Sequence, residues 1–109
     1  MENSEQTIVL IINPEKLSNP DLDIRYLLPE MLEEQSNGLI KDDGYDYLDD
    51  EINTMLVFLK ISDFEKAIAC IEDAIENVSL LGNNLKQGVI IAVEKEPGVR
   101  NFKIVRQFN

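Results

Sequence analysis

Three stretches of this chain are apolar at nearly every position: residues 8–12 (Ile-Val-Leu-Ile-Ile), 55–59 (Met-Leu-Val-Phe-Leu) and 89–93 (Val-Ile-Ile-Ala-Val). Successive side chains of a strand point to opposite faces of a sheet, so a strand with one wet face alternates apolar with polar residues. These runs do not alternate. They read as strands covered on both sides, and a chain carrying three of them must put something over each face of its sheet.

The elements between them follow from local signals. Residues 7–12 end at Asn13-Pro14, a turn, and make a first strand. Asn19-Pro20 offers an N-cap followed by a proline at the first helical position. Ile24, Leu27, Leu28, Met31 and Leu32 then recur at helical spacing up to Gln35, with Asn37-Gly38 as the stop. Pro29 inside that pattern removes a hydrogen bond and clashes with the Arg25 carbonyl, a cost of about 3 kcal/mol. A short turn over residues 21–27 and a firmer helix over 28–35 are therefore predicted.

After the second of the apolar runs, a strand over 55–61, Ser62-Asp63-Phe64-Glu65 fits a capping box. Behind it Phe64, Ala67, Ile68, Ile71, Ala74, Ile75, Val78 and Leu81 form one apolar stripe, with Glu65, Glu72 and Glu76 opposite, so a helix is predicted up to Gly82. Cys70 falls at the edge of the stripe and is expected to be partly buried rather than reactive. Pro97-Gly98 is a turn pair, and Phe102, Ile104, Arg106 and Phe108 alternate with Lys103, Val105 and Gln107 as a half-exposed edge strand.

With 109 residues, 44% of them hydrophobic, the chain is expected to be a single globular domain, residues 1–109. Its fold class is α+β: a ferredoxin-like two-layer sandwich, βαββαβ plus a C-terminal β-hairpin, with a mainly antiparallel sheet and two helices on one face. Two helices leave the other face open. A second copy packed sheet to sheet, a long loop of the chain, or a different protein would cover it, and a homodimer through the sheet face is the expected answer. Val9, Val57 and Ile91 are the positions at which a new charge should break such a contact.

Charge is the strongest global signal, with 21 Asp and Glu against 10 Lys and Arg and a net charge of −11. Such a surface repels nucleic acid and anionic lipid and attracts cationic proteins. Residues 1–94 hold 20 acids and 6 bases, whereas residues 95–109 hold 1 acid and 4 bases (Lys95, Arg100, Lys103, Arg106). The basic end is either laid beside the acidic body of the same molecule or meets it in another copy. The N-terminal segment is polar and acidic, unlike a signal peptide, and no apolar run reaches membrane-spanning length, so the cytoplasm is the expected compartment.

The acids concentrate in residues 41–51, where Asp42, Asp43, Asp46, Asp49, Asp50 and Glu51 surround Tyr45 and Tyr47. Asp43-Gly44 is either the turn of a small hairpin or a bulge in one strand over about residues 39–48; either way both tyrosines share a face and Asp46 takes the other. The chain has no histidine, one cysteine and no glycine-rich loop, and its acids lack the alternating spacing of a calcium loop. Neither an enzyme, a cofactor nor a dedicated metal site is expected. Acid with aromatic suits a protein partner: carboxylates for Lys and Arg, rings for the desolvated contact area. The partner-binding residues expected are Asp42, Asp43, Tyr45, Asp46, Tyr47, Asp49, Asp50 and Glu51, and the alternative is that they only solvate the surface.

In size, acidity and the stretch 42–51, the chain resembles the small acidic immunity proteins with which bacteria neutralise nuclease and other toxins. The resemblance implies an inhibitor that binds a cationic toxin through an acidic patch. The competing expectation is a dimeric ferredoxin-like module that binds a small ligand or regulates an enzyme, without catalytic activity.

Overall fold

The computed structural model describes residues 6–19, 23–96 and 99–108. Strand β1 (Gln6–Ile12) leads through a 3-10 turn (Pro14–Lys16) to helix α1 (Ile24–Gln35), then to β2 (Ile40–Tyr47) and β3 (Met55–Ile61). Helix α2 (Phe64–Asn77) is followed by two-residue strands β4 (Ser79–Leu80) and β5 (Asn83–Asn84), a second 3-10 turn (Leu85–Gln87), β6 (Val89–Glu96) and β7 (Val99–Gln107). Five strands form one sheet in the order β2-β3-β1-β6-β7, and every neighbouring pair is antiparallel. The fold is thus α+β with two helices on an antiparallel sheet. Its first four large strands have an order compatible with the expected split βαβ plan, and β7 is the added strand.

The apolar runs sit at the centre of the sheet, as β1, β3 and β6. One side of each contributes to the main core: Ile8, Leu10 and Ile12 of β1, Val57 and Leu59 of β3 and Ile91 of β6 pack with Leu28 and Leu32 of α1 and with Ile71 and Ile75 of α2. The other side builds a smaller cluster without helix residues, in which Val9, Leu56 and Phe58 are buried against half-buried Ile11, Leu48 and Phe102. Val57 and Ile91 therefore belong to the helix side, and Val9 is fully buried. Strand register explains the last point, because Val9 stands between Phe58 of β3 and Ala92 of β6.

Three local expectations are corrected. Helix α1 runs unbroken through Pro29, which is itself buried beside Leu28 and Leu32. Packing of that face outweighs the one hydrogen bond that proline cannot donate. Its C-terminus is as predicted: Asn37 (φ 57°) and Gly38 (φ 88°) take left-handed backbone, and Gly38 N–H donates to Glu33 O at 3.0 Å. The cap of α2 is Asp63 rather than Ser62, with its carboxylate accepting from Lys66 N–H at 3.2 Å. The helix ends at Asn77, four residues before Leu81, because β4 and β5 pair across a two-residue turn, Leu81-Gly82, in which both residues have positive φ (54° and 80°). The buried Asn83 holds that hairpin: its side chain accepts from Asn19 N–H (2.6 Å) and donates to Asn19 O (2.7 Å). Cys70 is half-buried against the core, and burial, with Asp73 nearby, pushes its thiol pKa up.

The Pro97-Gly98 turn, the Pro20 end of the predicted first cap and residues 21–22 lie outside the described residues. The C-terminal strand does not keep one alternation. A register shift opposite Ile91 and Ala92 places Ile104 across from Ala92 and Arg106 across from Ile91. Phe102 thus packs on the second face, while Phe108 packs on the main core. Arg106, on the helix side, makes two ion pairs with α2, to Glu72 (3.0 Å) and Glu76 (2.9 Å). This is the intramolecular version of the basic end lying beside the acidic body; the side chains of Lys95 and Arg100 fall outside the described ones.

Candidate functional site

Strand β2 is an edge of the sheet, and it is one bulged strand rather than a hairpin. Asp42 pairs with Leu59 and Tyr45 with Val57, so Asp43 and Gly44 together oppose the single residue Phe58. Gly44 (φ 96°) takes the conformation that other residues resist, and its N–H donates to Asp42 Oδ1 at 2.9 Å. The extra residue also changes parity. Ile40 and Asp42 face the helices, and without the bulge Gly44 and Asp46 would follow them. With it, Tyr45 and Tyr47 turn to the helix side, and Asp46 turns away.

There the tyrosines meet α1. The Tyr45 ring lies 5.8 Å from Tyr26 and 5.9 Å from Tyr47, edge to face in both cases. Arg25 fills the middle: its guanidinium carbon sits 4.6 Å from the Tyr26 ring centre and 4.9 Å from that of Tyr45, and its Nη1 donates to Tyr47 Oη at 3.1 Å. The hydrogen bond with Tyr47, with the Tyr26 hydroxyl nearby, pushes the Arg25 pKa up. The nearby Tyr45 hydroxyl and the Arg25 guanidinium lower the Tyr26 pKa, and the Tyr26 hydroxyl in turn raises that of Tyr45. Tyr26 and Tyr45 remain 49% and 40% exposed, the outer face of a braced aromatic patch.

Carboxylates ring this patch on one side. Tyr26, Glu30, Glu33, Glu34 and Asp42 line an open groove of about 800 Å³ between α1 and β2. Tyr26, Glu30, Glu33 and Glu34 recur at i, i+4, i+7 and i+8, the face of α1 opposite its buried Ile24, Leu28 and Leu32. That spacing was legible in the sequence and would have added α1 to the site. Contact of Arg25 with Tyr47 joins residues far apart in the chain and carried no such signal.

The eight residues expected to bind a partner do not act alike. Asp42, Tyr45 and Tyr47 join the patch described above. Asp43, exposed, occupies the bulge, and Asp46, half-buried and on the other face, accepts from Tyr47 N–H at 2.8 Å. Asp50 is a structural acid. Its carboxylate accepts from Thr54 N–H (3.0 Å) and Thr54 Oγ1–H (2.7 Å), which lowers its pKa and closes the loop into β3. Asp49 and Glu51 are exposed in that loop. Among the described residues no group of three or more Asp, Glu, Cys or His is arranged to hold a metal ion. Nor is any helix among them long and apolar enough to cross a membrane.

Comparison with protein-family models, with curated proteins and with solved structures finds no match to this chain.

Proposed function

We propose that the chain is a protein-binding inhibitor of the immunity-protein kind, which neutralises a cationic toxin or nuclease through the α1–β2 surface. The observation that supports it most is the pairing of exposed Tyr26 and Tyr45, braced by Arg25, with the acids Glu30, Glu33, Glu34 and Asp42 beside them. Aromatic rings held in fixed rotamers lose little entropy on binding, and surrounding carboxylates steer and orient basic residues. Acids on such a surface stand where a toxin's own substrate would place phosphates.

The test is capture from an extract of the native cell, comparing wild-type protein with Tyr45→Ala and with Asp42→Asn/Glu33→Gln. Asn at 42 keeps the oxygen that accepts from Gly44, so the double variant removes charge and leaves the bulge. A basic protein retained by the wild type should be lost from Tyr45→Ala. Its association rate with the double variant should fall and lose most of its salt dependence. Equal capture and equal rates would sink the proposal.

A second reading, a dimeric small-ligand or regulatory module joined through the sheet face, draws support from half-buried Ile11 and Phe102 and from Ile104, 49% exposed, on that side. Sedimentation showing only monomer up to about millimolar concentration would reject it.

A further inference from the structure

The edge of the sheet opposite the acidic patch carries a cluster of the other sign. Lys16 from the first 3-10 turn, Lys86 from the second, and Arg106 near the end of β7 line one open groove of about 850 Å³. Three of the chain's 10 basic residues thus converge in a molecule of net charge −11. Among the described residues that line the groove the one carboxylate is Glu76, held by Arg106 at 2.9 Å, and the same guanidinium also holds Glu72 at 3.0 Å. Neither lysine ammonium has an ion-pair partner among the described residues.

The frame that holds the lysines is built. Asn13 caps the first turn by accepting from Glu15 N–H (2.9 Å), and Asn84 caps the second by accepting from Lys86 N–H (3.2 Å). The two turns are tied together by Asn13 N–H donating to Gly88 O at 2.8 Å. Gly88 permits this approach: a Cβ there would lie 2.9 Å from Leu17 Cδ2 and 3.0 Å from Asn13 O. Between the turns a narrower recess of about 90 Å³ is lined by both lysines and by Phe108. The Phe108 ring also carries the Arg106 guanidinium, 4.6 Å from its centre, and forms a flat wall next to the cations.

We infer that this groove binds a small phosphorylated molecule, its phosphate between Lys16 and Lys86 and its organic part against Phe108 and Arg106. Glu72 and Glu76 take up the charge of Arg106, and the two lysines supply the +2 that faces a phosphate dianion. Ammonium groups supply several donors to a tetrahedral oxyanion, and exposed Gln87 and Gln107 add neutral ones. The groove lies across the sheet from Tyr26 and Tyr45, so this inference stands apart from the protein-binding one.

The test is titration of the full chain with inorganic phosphate, followed by amide NMR shifts at constant ionic strength set with chloride. Saturable shifts are expected at Lys16, Lys86, Gln87, Gln107 and Phe108. In Lys16→Gln/Lys86→Gln protein the affinity should fall by about tenfold or more, with the spectrum elsewhere unchanged. Lys41 and Lys60, directly opposed in β2 and β3, are the control pair: Lys41→Gln/Lys60→Gln should bind phosphate as the wild type does. Shifts that do not saturate, equal losses in both double variants, or tighter binding of citrate than of phosphate would each overturn the assignment.

Discussion

Asp50 shows how much a single carboxylate can do without touching a partner. It takes two hydrogen bonds from Thr54, and these hold its pKa below the ordinary 3.8. A depressed folded-state value means that the stabilisation is complete above the unfolded value and is lost as pH falls through the folded one. Wild-type protein should therefore lose stability between about pH 5 and pH 2 more steeply than Asp50→Asn, as followed by thermal melts across that range. Parallel curves would show that Asp50 contributes nothing to acid sensitivity. Sequence alone shows six acids in a row of eleven residues and cannot sort them. Which ones turn back onto amides depends on the loop closing from Asp50 to Thr54 and on the bulge bringing Gly44 N–H over Asp42.

Among the elements, the β4–β5 hairpin is the one that sequence patterning misassigns, and the reason is specific. Val78 and Leu81 continue the apolar stripe of α2, so periodicity extends the helix over them, yet Leu81 stands at φ 54° and is 36% exposed. A left-handed leucine costs about 1 kcal/mol, whereas asparagine tolerates that conformation and suits the first position of such a turn. Leu81→Asn should raise stability by about 0.5–1 kcal/mol in urea unfolding, since the contact to Asn19 uses the Leu81 carbonyl and survives. Lower stability would mean that the remaining contacts of the leucine side chain matter more than its backbone. Helix α1 errs the opposite way. Pro29 is counted locally as a break, but its burial is a tertiary fact. The stripe of α2 and the Asn37-Gly38 stop were readable, because each rests on spacing or on one residue's backbone preference; a bulge rather than a hairpin at Asp43-Gly44 was not, because Gly44 supplies the positive φ that either would use.

At the level of the whole molecule, the strand pairing follows from the three apolar runs, which could only be central. What covers their second side could not be read, because it comes from register: Phe58 and Ala92 flank Val9 across two strand pairs. Charge is also distributed by the fold, with acids along the β2 edge and a cationic groove beside β7. A net charge of −11 repels itself, and salt screens this over about 10 Å at 0.1 M. The melting temperature should consequently rise from about 10 mM to about 500 mM sodium chloride; a fall would show that the Arg106 ion pairs outweigh the general repulsion. The bulge in β2 carries a consequence of another kind. It makes the aromatic patch depend on a count of residues as well as on their identity. Loss of one codon between Asp42 and Tyr45 would preserve every tyrosine and every strand, yet give the helix side of β2 a different set of side chains. Inheritance of this surface is thus more sensitive to a small deletion than to most substitutions, and relatives that differ in β2 length by one residue should present different side chains along this edge.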